Sequence, residues 1–166
     1  MTYTLGAGVL ATDACVGCGI ELASLSTGTK QRIGQFLPPW LSVGNPVDIG
    51  PAQSVETDNE KVFTECTEAL LCDPGTDAVL SIVPARLLEN PKATFTFVQV
   101  AQRLARSHPD KPLVAWVYSA DVGEVTASQY MGARNLVASD CGQGSPGPGP
   151  DGGVRRVPRP GQWRTL

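Results

Sequence analysis

Two nearly continuous apolar runs, Ala78–Val83 (AVLSIV) and Leu113–Tyr118 (LVAWVY), decide the fold of this 166-residue chain. A strand that is buried on one face alternates apolar and polar residues, whereas a strand covered on both faces of a parallel sheet is apolar throughout. Both runs therefore predict central strands of a parallel sheet that has helices on each side.

Further strands and helices alternate with these runs. Asn90 followed by Pro91 is typical of a helix start, and apolar residues recur at helical spacing up to Ala105. The remaining patterns predict strands at Ile20–Leu25 and Leu136–Ala138, and helices at Val9–Val16, Thr27–Leu37, Val55–Leu71 and from Asp121 onward. We therefore expect an α/β domain whose first strand is reduced to a stub within residues 1–5.

The composition changes abruptly near residue 141. Residues 141–166 hold seven of the 18 glycines, five of the 14 prolines and four arginines. Such a segment has few apolar side chains to bury, which is typical of disorder. The chain therefore divides into a domain at 1–140 and a Gly/Pro/Arg-rich tail at 141–166 that we expect to be disordered, as if two unlike sequences were joined.

Charge and hydropathy exclude several classes of protein. Residues 1–140 carry 9 basic and 15 acidic residues, whereas a nucleic-acid surface needs clustered Lys and Arg. We find neither an apolar run of about 18 residues nor a signal-peptide pattern, so we expect a cytoplasmic protein without a membrane span. The five cysteines are too sparse for a disulfide scaffold and are expected to be free thiols.

Two glycine-containing segments are candidate binding elements. Gly6-Ala7-Gly8 precedes a predicted helix, and such a turn brings backbone N–H groups close to an anion. A tight turn without a ligand explains the same residues. The second segment is a loop that contains Asn45, Pro46 and Asp48, in which proline stiffens the chain and the carboxylate can accept backbone N–H groups.

The cysteines and the single histidine are poorly placed in this sequence for catalysis or metal binding. Cys15 and Cys18 form a CxxC at a helix end, whereas a redox pair needs its first thiol at a helix start. His108 is the single histidine and lies between a helix and a strand, at the edge of the sheet opposite to that where ligands gather. We therefore assign no catalytic residue and no metal ligand.

Five segments together resemble the NDP-forming acyl-CoA synthetases, the acetate–CoA ligase (ADP-forming) family, which are relatives of succinyl-CoA ligase. They are GAGVLATDAC from residue 6, LSTGTKQRIGQFLPPW from 25, SVGNPVDI from 42, CDPGTDAVLSIVP from 72 and KPLVAWVY from 111. The resemblance covers roughly residues 6–138.

This resemblance implies a three-layer, flavodoxin-like domain with a mostly parallel sheet. It implies a complete enzyme that converts acid, CoA and ATP to acyl-CoA, ADP and phosphate with Mg²⁺, and whose CoA-binding, phosphohistidine and ATP-grasp domains lie outside this chain. No cofactor is expected to be held by this chain alone. The family pattern maps phosphate binding onto the backbone of Gly6, Ala7, Gly8 and Val9. Leu5 stands where the family has glycine, so the alternative is a non-catalytic binding or interaction module.

Overall fold

The computed structural model describes residues 1–84, 91–118 and 136–140. These residues form a mixed α/β structure with four α-helices, one 3-10 helix and three strands. In chain order the elements are α1 (Leu5–Gly17), α2 (Thr27–Gly34), the 3-10 helix Gly50–Ser54, α3 (Asn59–Cys72), β1 (Val79–Pro84), α4 (Pro91–Ser107), β2 (Leu113–Tyr118) and β3 (Leu136–Asp140).

The three strands form a parallel sheet in the order β1-β2-β3. Leu113 of β2 is paired with Val79 of β1 on one side and with Leu136 of β3 on the other. The two apolar runs are confirmed as adjacent parallel strands, and β3 continues two residues beyond its predicted end at Ala138.

The predicted stub of a first strand lies beside β1. Thr2 makes parallel bridges to Ile82 on one side and to Asp48 on the other. The Thr2 N–H donates to the Val47 carbonyl at 2.8 Å, and the Thr2 carbonyl accepts from the Ile49 N–H at 2.8 Å. Residues 1–3 and 47–49 therefore extend the sheet by two short segments.

The prediction of a strand at Ile20–Leu25 is wrong. This segment has no regular secondary structure, Ile20 and Leu22 are exposed, and only Leu25 is buried. The Ala23 carbonyl accepts a hydrogen bond from the Asn45 side chain instead of from a neighbouring strand. Leu25 is part of the core, but the segment that contains it does not pair with any of the described strands of the sheet.

Several helix boundaries also differ from those predicted. The helix predicted from Val55 begins at Asn59, because Gly50–Ser54 forms a 3-10 helix and the Asp58 carboxylate caps the next helix by accepting the Lys61 N–H. The helix that starts at Thr27 ends at Gly34, three residues earlier than predicted. Helix α4 starts at Pro91 as predicted. Its predicted cap Asn90, the helix from Asp121 and the tail lie outside the described residues.

The core lies between one face of the sheet and helices α3 and α4. The rings of Phe97 in α4 and Phe63 in α3 pack in a T-shaped arrangement, with centroids 5.0 Å apart, and Val79 and Leu113 of the sheet belong to the same cluster. Residues that alternate with Val79, such as Leu80, point to the opposite face, where α1 lies. None of the described helices is long and apolar enough to cross a bilayer.

Candidate functional site

Helix α1 begins earlier than the sequence predicts. Gly6, Ala7 and Gly8 lie within its first two turns, so the expectation of a glycine turn before a helix at Val9 is wrong. Thr4 is the N-cap, with extended backbone angles φ −148° and ψ 121°. Glycine adopts helical and turn conformations almost equally well, so the sequence pattern alone could not separate the two.

The first turn of α1 has no side-chain cap. In α2 the Ser26 hydroxyl accepts the Thr29 N–H at 3.2 Å, and α3 has the Asp58 carboxylate, whereas the Thr4 side chain caps nothing in α1. The Thr4 N–H itself donates to the Thr2 hydroxyl at 3.1 Å. The next three N–H groups, from Leu5 to Ala7, have no carbonyl partner within their own helix.

The predicted phosphate-binding residues Gly6, Ala7, Gly8 and Val9 divide into two pairs by position. The N–H groups of Gly6 and Ala7 belong to the open first turn. The Gly8 N–H donates to the Thr4 carbonyl at 3.2 Å, and the Val9 N–H is in position for the next helical hydrogen bond. The positive end of the helix dipole lies at this first turn, where Gly6 is exposed and Ala7 is buried, so Gly6 is the best placed of the four to meet an anion.

The two glycines differ in what surrounds them. A Cβ atom on Gly8 would lie 2.9 Å from Cγ2 of Thr2 and 3.3 Å from the Pro46 ring, whereas a Cβ atom on Gly6 would meet nothing within 4 Å. Close packing therefore explains the glycine at residue 8. Nothing in the packing requires a glycine at residue 6, which is exposed.

The loop that carries Asn45, Pro46 and Asp48 packs beneath α1. The Asn45–Pro46 peptide bond is cis, and the Asn45 Nδ2 donates to the Ala23 carbonyl at 3.0 Å. The Asp48 carboxylate accepts the Gly50 N–H at 2.9 Å, at the start of the 3-10 helix. Pro46 is the residue of this loop that lies against Gly8, so the loop contacts α1 at Pro46. Asp48 lies at the other end of the loop, just before the 3-10 helix.

A groove of about 650 Å³ lies between α1, the extended segment 20–25 and the outer face of β1. Sequence reasoning missed it, because its walls come from segments that are far apart in the chain. Its charged lining residues are Glu21 and Asp77, and no Lys or Arg of the described residues lines it. These carboxylates disfavour an anionic phosphate within the groove, although Gly8, Asn45 and Pro46 of the predicted site also line it.

The cysteines and the histidine lie where the sequence places them. Cys15 and Cys18 are at the C-terminal end of α1, and Cys66 is fully buried in α3, where desolvation raises the pKa of its thiol to about 12. His108 directly follows α4, ahead of β2. Within residues 1–84, 91–118 and 136–140, no three His, Cys, Asp or Glu side chains cluster as metal ligands would.

Asp73 is a buried charged residue that sequence reasoning missed. Its carboxylate accepts the Ser26 N–H at 2.9 Å and the Gly75 N–H at 2.8 Å. A hydrogen bond from the Thr29 side chain and these backbone N–H groups lower its pKa from 3.8 to about 2. Asp73 sits where α3 ends and α2 begins, so its role is to hold these two helix ends together.

This chain matches a protein-family model and several ADP-forming CoA ligases. Residues 1–146 match the model of the Ligase-CoA domain family. Acetate–CoA ligase (ADP-forming) II of Archaeoglobus fulgidus is 36% identical over 89 residues, which is 53% of this chain and 13% of that protein. Acetate–CoA ligase (ADP-forming) II subunit alpha of Pyrococcus furiosus is 27% identical over 124 residues, 75% of this chain and 26% of that subunit.

A solved structure shows the same similarity in three dimensions. A protein of Pyrococcus horikoshii OT3 superposes with a TM-score of 0.58 and 25% identity, over 78% of this chain and 28% of its own. The chain therefore spans between 13% and 28% of the length of these relatives. Since the family model matches most of its residues, this chain belongs to the Ligase-CoA domain family, which is part of the ADP-forming acetate and acyl-CoA ligases.

Proposed function

We propose that this chain acts as the Ligase-CoA domain of an ADP-forming acyl-CoA synthetase and supplies a helix N-terminus to the phosphate site. The complete enzyme would convert acid, CoA and ATP to acyl-CoA, ADP and phosphate, with Mg²⁺ bound to the nucleotide. The observation that carries the proposal is the uncapped first turn of α1 in a chain of this family, with Gly6 open to an approaching anion.

The position of this turn in the sheet supports the proposal. The sheet runs 47–49, 1–3, β1, β2, β3, so the segments are the second, first, third, fourth and fifth in chain order. This is the flavodoxin-like order, in which ligands bind beyond the carboxyl ends of the first and third strands. Helix α1 starts directly after residues 1–3 and therefore starts at that edge.

The proposal leaves the bond-making chemistry to other parts of the synthetase. His108 precedes β2 and so lies at the amino edge of the parallel sheet, opposite the start of α1. The CoA-binding, phosphohistidine and ATP-grasp domains would belong to the same synthetase, in line with the fraction of the relatives that this chain spans.

Within the chain, residues 1–140 would form the flavodoxin-like domain and 141–166 a disordered tail. ATP and CoA as co-substrates point to the cytoplasm.

A titration of the ¹⁵N-labelled chain with inorganic phosphate, followed by NMR, tests the phosphate site. We expect shifts confined to the amide of Gly6 and its neighbours in the first turn of α1. The amides of Thr29 and Lys61 serve as controls, because those first-turn N–H groups already donate to side-chain caps. Equal shifts at all three helix starts, or none at α1, would leave a non-catalytic interaction module as the better description.

Replacing Leu5 by glycine sharpens the same test. Leu5 is 55% exposed at the first position of α1, in the same turn as the N–H groups that lack a helical acceptor. If this side chain restricts anion access, Leu5→Gly strengthens phosphate binding while the two control amides stay unchanged. An unchanged affinity would show that Leu5 does not stand in the path of the ligand.

A further inference from the structure

Exposed aliphatic side chains are concentrated on α1 and the segment after it. They are 39% to 62% exposed: Leu5, Val9, Leu10, Val16, Ile20 and Leu22. Across the part of the chain that the structure describes, the other large hydrophobic residues of comparable exposure are Trp40 and Val55. Ile20 and Leu22 also line the groove, so the outer side of α1 itself presents Leu5, Val9, Leu10 and Val16. Monomeric proteins rarely expose large apolar patches, so four such side chains on one helix favour a contact surface.

The composition of α1 points the same way. Its thirteen residues, LGAGVLATDACVG, include one charged side chain, Asp13. The inward side, which includes Ala7 and Gly8, is already buried, with Gly8 packed against Thr2 and Pro46. A helix on the surface of a domain normally has a polar outer side, whereas a helix that is apolar all round is covered on all sides. The outer side of α1 therefore has the composition of a buried surface.

Asp13 identifies the kind of partner that fits. It lies three residues after Leu10 and three before Val16, which places it in the middle of the exposed side. The described residues provide it with no salt bridge. Two copies of the chain packed through this face would desolvate two carboxylates without partners, which is costly. A partner that offers aliphatic side chains around one Lys or Arg would pair with the carboxylate and cover the leucines and valines.

From these observations we infer that the outer face of α1 is the contact surface for an adjoining domain of the same synthetase, which presents aliphatic side chains and a basic residue opposite Asp13. The matched relatives are about four to eight times as long as the matched region, so each of them has room for further domains that could contact this one. This inference rests on the proposed function for the identity of the partner. It does not depend on phosphate binding at the start of α1.

Thiol labelling of a chimera tests the inference. Residues of this chain would replace the matching segment of the Archaeoglobus fulgidus acetate–CoA ligase II, in a background with Cys15 and Cys18 replaced by serine. We expect iodoacetamide to modify Leu10→Cys about tenfold more slowly in the chimera than in the isolated chain, because burial restricts access to a thiol. Val55→Cys is the matched control, since Val55 is 53% exposed outside α1, and its rate should not change.

The results of the labelling distinguish the contact surface on α1 from the phosphate site at its start. Equal rates at residue 10 in the chimera and the isolated chain would overturn the inference. A rate that falls with the concentration of the isolated chain would also overturn it, in favour of a second copy. A chimera that is inactive yet protected at residue 10 would count against the phosphate-site role alone. If the chimera does not fold, the same rates measured after mixing the isolated chain with the ligase lacking that segment decide the question.

Reversing the charge of Asp13 provides a second readout. Asp13→Lys should raise the labelling rate at residue 10 in the chimera, because it opposes the basic residue of the partner, and should leave the isolated chain unchanged. Glu60→Lys, on the exposed first turn of α3, is the matched charge reversal and should have no effect. Protection that survives Asp13→Lys would remove the basic residue from the inferred partner.

Discussion

The Asp73 carboxylate accepts a hydrogen bond from the backbone N–H of Ser26 at 2.9 Å, across 47 positions of the sequence. Asp73 is 1% exposed, and its second oxygen accepts the Gly75 N–H at 2.8 Å. Ser26 in turn caps α2 through its hydroxyl. One buried carboxylate thus fixes the start of α2 relative to the end of α3 and the approach to β1.

Replacing Asp73 should therefore destabilise the domain. Asp73→Ala removes a buried carboxylate that accepts the Ser26 and Gly75 N–H groups, so we expect the free energy of unfolding to fall by about 2 to 4 kcal/mol. Urea unfolding followed by circular dichroism measures the change. Asp77→Ala is the control, because Asp77 is exposed, and should change stability by less than about 0.5 kcal/mol. Similar losses in both variants would contradict the role given to Asp73.

The same carboxylate predicts an acid-dependent loss of stability. The folded pKa of Asp73 is about 2, below its ordinary value of 3.8. A depressed folded pKa means that the stabilisation is fully present above about pH 4 and is lost as the pH falls towards 2. Stability measured between pH 5 and pH 2 should fall more steeply in the parent chain than in Asp73→Asn. Parallel curves would show that Asp73 is not the titrating group.

The contrast between two apolar segments shows what the sequence could predict of this fold. Val79–Pro84 and Leu113–Tyr118 were predictable because strands buried on both faces have few polar residues. The strand predicted at residues 20–25 rested on a weaker pattern that includes Glu21 and Ser24, and this segment lies outside the sheet. The two segments that extend the sheet beyond β1, first at Thr2 and then at Asp48, pair through only a few residues each, which is too short for any periodic pattern to reveal.

The candidate site was also predictable only in part. The glycines near the start of α1 drew attention to the correct backbone, but Gly8 is explained by contacts with Thr2 and Pro46 that no local pattern contains. The groove joins segments that are far apart in the chain, and the hydrogen bond from Ser26 to Asp73 spans 47 positions, so residue spacing along the chain has no information on such contacts. The exposed apolar side of α1 became evident only from the structure.

The burial of Cys66 predicts selective thiol reactivity. Desolvation raises the pKa of this thiol to about 12, and the thiolate is the reactive form. In the folded chain at pH 8, a disulfide reagent should modify the exposed Cys18 and Cys72 readily and Cys66 only after unfolding. Mass spectrometry of the labelled peptides measures each site. Rapid modification of Cys66 in the folded chain would show that α3 opens far more readily than its packing implies.

The ion pairs between α2 and α3 should contribute little. Arg32 donates to Glu65 and to Glu68 at 2.7 Å each, but all three side chains are 38% exposed. Solvent screens such pairs, so Glu65→Gln should lower the free energy of unfolding by less than about 1 kcal/mol, and less again at high salt. Denaturant unfolding at low and high ionic strength measures both values. A larger, salt-independent loss would mean that Arg32 is a structural requirement of the α2–α3 contact.

The two glycines of α1 form a matched pair of variants. Gly8→Ala places a methyl group 2.9 Å from Thr2 Cγ2 and 3.3 Å from Pro46, so we expect a loss of about 1 to 3 kcal/mol from overpacking. Gly6→Ala meets no atom within 4 Å and exchanges glycine for the best helix former, so stability should rise by about 0.5 to 1 kcal/mol. Thermal unfolding of the two variants measures the difference. A loss of stability in Gly6→Ala would show that residue 6 has a backbone conformation that only glycine tolerates, and α1 would then begin later than Leu5.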